Sequence, residues 1–363
     1  MTRHIFAGID LGDKKSVTRV ATDKDSAERF AFQNTKAGRA RLFAELQRRS
    51  SAAGGATIVM AYEASSCGFV LQDEARALGL ICHVLAPTKL DKSVEQKKHK
   101  NDDRDADDIL ERVRGHILAG NRLPTVWVPD AETRDDRELV RTRVECGEKL
   151  TRVKTQIQML LKRHGVEKPA DIGSSRTAGH CRWLQALSES ESWGWSTRHS
   201  LASLLRQAES IEAELAQLDE LIGQLAQQPR HKAIIEALTK EKGVGLLTGM
   251  VYRTEIGEAR RFKRSRHVGK FMGLTPTSHE SGQQSDRKGH ISKQGPPRLR
   301  KVLCQASWVH IRHDVDSRQF YQRLVDRNPK KKKIALVAVM RRLGVRLWHR
   351  MREAESAMAA TTR

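Results

Sequence analysis

Five aspartates are crowded into one short segment, "KKHKNDDRDADDILERV" at residues 97–113. They are Asp102, Asp103, Asp105, Asp107 and Asp108, within seven consecutive positions. Carboxylates this close repel one another unless a positive charge lies among them. The segment is therefore either the solvated acidic start of a helix, where negative charge complements the helix dipole, or one part of a metal site.

Two further acids stand at the ends of apolar segments that are typical of strands. "HIFAGID" ends at Asp10, and "ATIVMAYE" ends at Glu63. If these are the first and fourth strands of a sheet with the element order β-β-β-α-β-α-β-α, they are neighbours, and Asp10 and Glu63 lie side by side.

Asp102 and Asp105 are three residues apart, so they share one face of a helix that begins at Asp102. Together with Asp10 and Glu63 they form a predicted tetrad. It is suited to two Mg²⁺ ions, with Mn²⁺ as an alternative, about 3.5–4 Å apart on a scissile phosphate. For the remaining three aspartates we favour the helix-dipole interpretation.

Hydrophobic periodicity indicates the elements that position these acids. The pattern predicts strands at 4–10, 16–22, 28–34, 56–63 and 80–86, and helices at 36–49, near 68–78 and from about 102 to 118. The predicted fold class is therefore α/β for residues 1–122, with a mixed sheet flanked by helices.

Residues 123–230 are predicted to form a helical, coiled-coil-like domain. Heptad spacing relates Leu139, Cys146, Val153 and Leu160, and Leu150 and Ile157 fill the alternate positions. It also relates Leu204, Ile211, Leu218 and Leu225, which are interleaved with Leu201, Ala208, Leu215 and Ile222. Two long helices either form an antiparallel hairpin within one chain or pair between subunits, which would make a homo-oligomer through this domain.

Residues 231–363 are predicted to form a mainly helical, basic domain. They contain 30 Lys and Arg against 11 Asp and Glu, a charge of +19, whereas residues 1–120 carry 20 against 17, or +3, and the chain as a whole carries +22. A field this concentrated favours nucleic acid as the partner. Two helices are predicted to flank Gly243-Val244-Gly245, where glycines let backbone N–H groups approach a phosphate; a plain turn is the alternative.

Other features bear on location. The first residues lack the apolar core of a signal peptide, and the apolar run "IALVAVM" is far shorter than the roughly 20 residues that span a bilayer. The five cysteines are scattered and never in C-x-x-C spacing, which argues against a disulfide framework or a zinc site and fits a reducing cytoplasm. We expect a cytoplasmic protein without a membrane partner.

The acidic segments also resemble a known family. "AGIDLGDKKSV", "VMAYEASSCGF" and "KNDDRDADDI" resemble the three acidic motifs of the DEDD transposases of the insertion-sequence 110 family, and "KGVGLLTG", "FKRSRHVGKFMGLTPTSHESG" and "GHISKQGPPRLRKVL" resemble its C-terminal transposase domain. The resemblance covers roughly residues 1–120 and 235–310. Asn101 replaces the Thr usual before the first helix Asp, and Pro296-Pro297 departs from more polar residues, but neither change alters a predicted catalytic side chain.

The resemblance implies a RuvC-like domain of the ribonuclease H fold at residues 1–122, with Asp10, Glu63, Asp102 and Asp105 as its metal tetrad. It also implies that the Ser of an S-G pair, here Ser281, is the nucleophile. A structured guide RNA encoded by the element would pair with donor and target DNA, and the tetrad of one subunit would serve the serine of another, in a dimer or a tetramer. The expected setting is the nucleoid of a bacterium.

Several residues of the basic domain are expected to contact nucleic acid. These are Gly243, Gly245, Lys270, Arg287, Lys288, Lys293, Arg298 and Arg300. Such contacts read backbone and shape, while RNA pairing would choose the sequence.

The leading hypothesis is a DNA transposase or recombinase that cuts and rejoins strands through Ser281. One alternative is a RuvC-like structure-specific endonuclease, in which metal-activated water attacks the phosphate. Another is a non-catalytic nucleic-acid-binding protein whose acids only cap a helix.

Overall fold

The computed structural model describes residues 3–23, 25–89, 102–173, 177–278 and 288–361. Contacts between residues divide the chain into two compact units, residues 1–128 and 129–363. The expected helical and basic domains, 123–230 and 231–363, fall almost entirely within the second unit.

The first unit is built on a five-stranded mixed sheet. Its strands are β1 (His4–Asp10), β2 (Lys15–Thr22), β3 (Glu28–Gln33), β4 (Thr57–Glu63) and β5 (Ile81–Leu85). The order across the sheet is β3-β2-β1-β4-β5; β2 is antiparallel to both of its neighbours, and β1, β4 and β5 are parallel. The prediction that the first and fourth strands are neighbours is confirmed, and the topology is consistent with a ribonuclease H fold.

Three described helices cover the two faces of this sheet, namely α1 (Lys36–Ala52), α2 (Val70–Ala77) and α3 (Asp102–Ala119). Strand residues alternate between the faces. Ile5, Ile9 and Tyr62 pack with α1 and α2, whereas Phe6 and Ala61 pack with α3. The sheet is therefore buried on both sides, as expected where parallel strands are flanked by helices.

Three helices begin the second unit. The helices are α4 (Ala131–Arg163), α5 (Ala178–Glu189) and α6 (Trp195–Gln227). The ion pairs Arg143–Asp219 and Lys154–Glu212 join α4 to α6 and show that the two helices run antiparallel. Within this chain the two predicted long helices thus pack against each other.

The rest of the second unit is mainly helical. It comprises α7 (Lys232–Thr239), α8 (Leu246–Ile256), α9 (Ser265–Phe271), β6 (Pro276–Ser278), β7 (Lys288–Ile291), α10 (Pro297–His313), α11 (Val315–Arg327) and α12 (Lys332–Thr361). One apolar core joins these helices to the N-terminal part of α4 and the C-terminal part of α6. The antiparallel β6–β7 pair was not predicted. Across the described ranges, no helix combines the length and the apolar character needed to cross a membrane.

Buried ion pairs join α4 to the segments around α7 and α8. Asp136 accepts hydrogen bonds from Arg230 at 2.6 Å and from His231 Nε2 at 2.9 Å. Arg141 donates two hydrogen bonds to Glu255, which is 3% exposed. Buried charges are tolerated because each is paired. This network therefore holds the N-terminal part of α4 against the helices that follow α6.

Candidate active site

Asp10 and Glu63 end adjacent parallel strands. Ile9 of β1 is in register with Tyr62 of β4, so the next residue of each strand is one of these two acids. By alternation both lie on the same face as Gly8 and Ala61, the face that α3 covers. Both are half-buried. The predicted placement of these two carboxylates side by side therefore agrees with the strand register.

Gly8 lets α3 lie directly against β1. A Cβ atom at this position would lie 2.3 Å from the carbonyl oxygen of Ala106 and 2.3 Å from the backbone nitrogen of Leu110. No side chain fits into that space, so a glycine is required where helix and strand touch. The contact lies two residues before Asp10 and fixes the start of α3 near the end of β1.

Asp102 and Asp105 occupy the first turn of α3, at the same edge of the sheet. The later residues Leu110 and Val113 pack with Phe6, early in β1, so α3 runs opposite to β1 and begins where β1 ends. Asp105 is buried, at 9% exposure, whereas Asp102 is exposed.

The four acidic positions thus converge on the carboxyl edge of the sheet. Among the residues described, however, no three acidic, histidine or cysteine side chains are close enough together to hold a metal ion. The fold therefore brings the four backbone positions to one edge without gathering their carboxylates into a formed ligand set.

Two other aspartates of α3 hold the helix on the sheet. Asp107 accepts a hydrogen bond from Arg19 Nε at 2.6 Å, and Asp103 accepts one from Arg29 Nε at 2.6 Å. These acids therefore do more than complement the helix dipole, because their ion pairs tie the first turns of α3 to β2 and β3.

The loops that follow β1 and β4 meet beside this edge. The thiol of Cys67 contacts the Asp13 carboxylate at 3.3 Å and the carbonyl oxygen of Leu11 at 3.8 Å. The loop after Glu63 thus contacts the loop after Asp10.

The glycines between α7 and α8 play different parts. Gly243 has a φ of +84°, and a Cβ there would lie 2.6 Å from the carbonyl oxygen of Ala306 on α10. Its role in the structure is to permit a turn packed tightly on α10. Gly245 is the exposed residue that precedes α8, and a Cβ there would meet open space. Of the two, Gly245 is the one accessible to a phosphate.

The predicted cationic contacts also differ in their surroundings. Lys270 and Lys293 are exposed. Arg298 forms an ion pair with Glu145 of α4. Arg300 donates to the carbonyl oxygens of Gly295 at 2.8 Å and Met272 at 3.3 Å, and burial lowers its pKa.

Three predicted positions fall at or beyond the edge of what the structure describes. Ser281 and Arg287 lie outside the described residues, and Lys288 begins β7 but its side chain is not described. The structure adds Lys263, Arg264 and Arg266 as exposed cations before and at the start of α9. Their run, "FKRSR", was visible in the sequence, although we singled out no residue within it.

The chain is similar to transposases in both of its units. A family model named DEDD_Tnp_IS110 and described as "Transposase" matches residues 7–165, and one described as "Transposase IS116/IS110/IS902 family" matches residues 235–322. These ranges include all five predicted catalytic positions, Ser281 among them.

Curated relatives carry the same description. The putative transposase y4rJ of Sinorhizobium fredii is 30% identical over 95% of this chain and 91% of its own length. The putative transposase y4qE of the same organism is 28% identical over 85% of this chain and 72% of its own. The transposase for insertion sequence element IS1111A of Coxiella burnetii is 27% identical over 65% and 61%.

Proposed function

The chain belongs to the IS116/IS110/IS902 family of transposases, and from this premise we propose that it cuts and rejoins DNA strands through a phosphoserine intermediate on Ser281. The observation that supports the proposal most is the register of β1 and β4, which ends both strands on a carboxylate at the edge where α3 begins. A transposase must break a phosphodiester bond, and this edge carries the acids suited to that chemistry.

Asp10, Glu63, Asp102 and Asp105 would hold the divalent metal. Carboxylate oxygens are the donors that Mg²⁺ prefers, and Mn²⁺ accepts the same set. Two bound ions would stabilise the negative charge that develops on the scissile phosphate. The strands supply two of the acids and the first turn of α3 the other two, so the carboxylates would approach an ion from different sides.

Ser281 would carry the strand between cutting and rejoining. Its Oγ forms a bond to phosphorus and gives up its proton, while the bond from phosphorus to the leaving deoxyribose oxygen breaks and that oxygen takes up a proton. The phosphodiester is conserved as a phosphoserine ester. A hydroxyl of the new DNA end then attacks the same phosphorus and releases Ser281, so rejoining needs no ATP.

The basic second unit would bind the nucleic acid. Residues 231–363 carry a charge of +19, and the exposed Gly245, Lys270 and Lys293 are open to phosphates. We also propose contacts from Arg287 and Lys288. Arg298 and Arg300 already have partners within the chain, and would contact a phosphate through their remaining N–H donors.

A structured RNA and a second subunit complete the proposal. The RNA would pair with donor and target DNA, and the protein would read backbone and shape. Assembly into a dimer or a tetramer would use the long antiparallel helices α4 and α6. The tetrad of one subunit would then serve Ser281 of another.

Trapping the covalent intermediate tests the proposed chemistry. Full-length protein is incubated with DNA from the element ends, the flanking RNA and Mg²⁺, and then denatured. We expect a protein–DNA adduct that is lost in Ser281→Ala and retained in Ser285→Ala, a matched serine in the same segment. Chelation of the metal and Asp10→Asn should each prevent adduct formation.

Other outcomes separate the alternatives. An adduct that persists in Ser281→Ala excludes this nucleophile. Cleavage without an adduct indicates an endonuclease that uses water. Binding without cleavage, unchanged in Asp10→Asn, indicates a non-catalytic nucleic-acid-binding protein.

A further inference from the structure

We propose that Lys15 binds a phosphate of the DNA strand that is cut at the acidic edge of the sheet. This inference rests on the proposed function of that edge and adds to it a residue that holds the substrate. Lys15 is the first residue of β2 and is exposed.

The strand register places Lys15 beside the tetrad. Asp10 is opposite Val17 in the antiparallel β1–β2 pair, and directly opposed residues project to the same face. Lys15 precedes Val17 by two residues, so it lies on that face too, about 7 Å further towards the carboxyl edge. The face is the one that α3 covers and on which Glu63 also lies.

Lys15 differs from the other two cations in this row. Arg19 and Arg29 lie on the same face of β2 and β3, and each is paired with an aspartate of α3. Within the described part of the chain, Lys15 makes no ion pair with a carboxylate, so its charge is available to a ligand. Of the three, it is the cation that lies at the carboxyl edge of the sheet, beyond the level of Asp10.

The backbone around Lys15 is fixed before any ligand arrives. The N–H of Gly12 donates to Ser16 Oγ at 3.3 Å, and the side-chain amide of Asn34 donates to the carbonyl oxygen of Gly12 at 2.9 Å. The backbone N–H of Asn34 donates to the carbonyl oxygen of Lys14 at 2.8 Å. A lysine on a held turn loses less conformational freedom on binding than one on a loose loop.

The negative charge of the acidic edge explains why a DNA phosphate would need a cation such as Lys15 beside it. Four carboxylates at one edge repel a DNA strand, and metal ions that neutralise the acids leave little attraction for the phosphates beside the scissile one. A lysine one strand away would hold a neighbouring phosphate and keep the scissile phosphate in place. The phosphate that Lys15 holds would belong to DNA, because DNA is the strand that the tetrad would cut.

Lys14 provides a matched control for Lys15. The two lysines are adjacent, exposed and equally charged, but Lys14 lies in the turn before β2 begins. A long-range effect of charge would be similar for both, whereas a direct phosphate contact at the tetrad would be specific to Lys15.

The experiment compares Lys15→Gln, Lys15→Arg, Lys14→Gln and Asp10→Asn in the full chain. For DNA from the element ends it measures the half-saturating DNA concentration in cleavage and the salt dependence of DNA affinity without divalent metal. In Lys15→Gln we expect about a tenfold rise in half-saturating DNA and a fall of about one in the slope of log affinity against log salt. Lys15→Arg should restore both quantities, and Lys14→Gln should change each less than twofold.

The possible failures are distinguishable. If Asp10→Asn abolishes cleavage but Lys15→Gln behaves like Lys14→Gln, only the assignment of Lys15 is overturned. A Lys15→Gln defect confined to binding of the flanking RNA overturns it as well. Full cleavage by Asp10→Asn overturns the proposed function of the edge, and the Lys15 contact with it.

Discussion

Among single residues, the aspartates at the start of α3 divide by their partners. Asp103 and Asp107 form ion pairs with arginines of the sheet, which holds the helix in place. Asp102 and Asp105 belong to the set that we propose for metal. The sequence indicated the second group through its spacing, but it could not show the first, because the paired residues are 74 and 88 positions apart in the chain.

His231 gives a prediction for the pH dependence of stability. Burial lowers its pKa in the folded protein, despite the hydrogen bond to Asp136. As pH falls through about 6.5, the ordinary value of a histidine, the unfolded chain takes up a proton that the folded protein resists. The contribution of His231 to the free energy of unfolding should therefore be complete above that pH. Below it, the free energy of unfolding should decrease by at most about 1.4 kcal/mol per pH unit because of this group.

Urea unfolding between pH 5 and 8 measures this effect. His231→Gln, which keeps a hydrogen-bond donor for Asp136, should show a shallower decline below pH 6.5 than the natural chain. His313→Gln, at an exposed position, should leave the pH profile as it is. Identical profiles for the natural chain and His231→Gln would show that His231 does not contribute to the pH dependence of stability.

At the level of elements, alternation and helical periodicity were sufficient to predict much of the first unit. The helix predicted at 36–49 runs from Lys36 to Ala52, and the strand predicted at 56–63 is Thr57–Glu63. Both patterns are local and record which side of an element is buried. The β6–β7 pair was not predicted because its strands, of three and four residues, are too short to show alternation. The contact of α3 with Gly8 was not predicted because it joins residues from opposite ends of the first unit.

Gly8→Ala tests whether close packing of α3 on β1 positions the acidic edge. The added Cβ would clash with backbone atoms of Ala106 and Leu110. Either α3 must shift away from β1, or the backbone of one of the two elements must be strained. We expect a loss of about 1–3 kcal/mol in the free energy of unfolding, together with a large loss of DNA cleavage.

Gly223→Ala is the matched control for this change. Gly223 lies within α6, and a Cβ there meets open space. Alanine should stabilise that helix by about 0.5–1 kcal/mol and leave cleavage unchanged. Normal stability and cleavage in Gly8→Ala would contradict the close contact between α3 and β1.

Across the whole molecule, the excess positive charge is concentrated in the last third of the chain. The acidic edge belongs to residues 1–128, whereas residues 231–363 carry a charge of +19. Simple counting along the sequence was enough to predict this concentration of positive charge, since it needs no knowledge of the fold. The register of β1 with β4 and the direction of α3 required the structure, because they join segments from the beginning, middle and end of the first unit.

The central claim is that three separate segments of the chain share one metal site. Fe²⁺ substituted for Mg²⁺, with ascorbate and peroxide, produces hydroxyl radicals that cut the polypeptide near the bound ion. Mapping these cuts in the full chain tests the claim most directly. We predict cuts near Asp10, near Glu63 and at the start of α3 together, all lost in Asp10→Asn and all kept in Asp108→Asn. Cuts at only one of these segments, or cuts that persist in Asp10→Asn, would contradict the account.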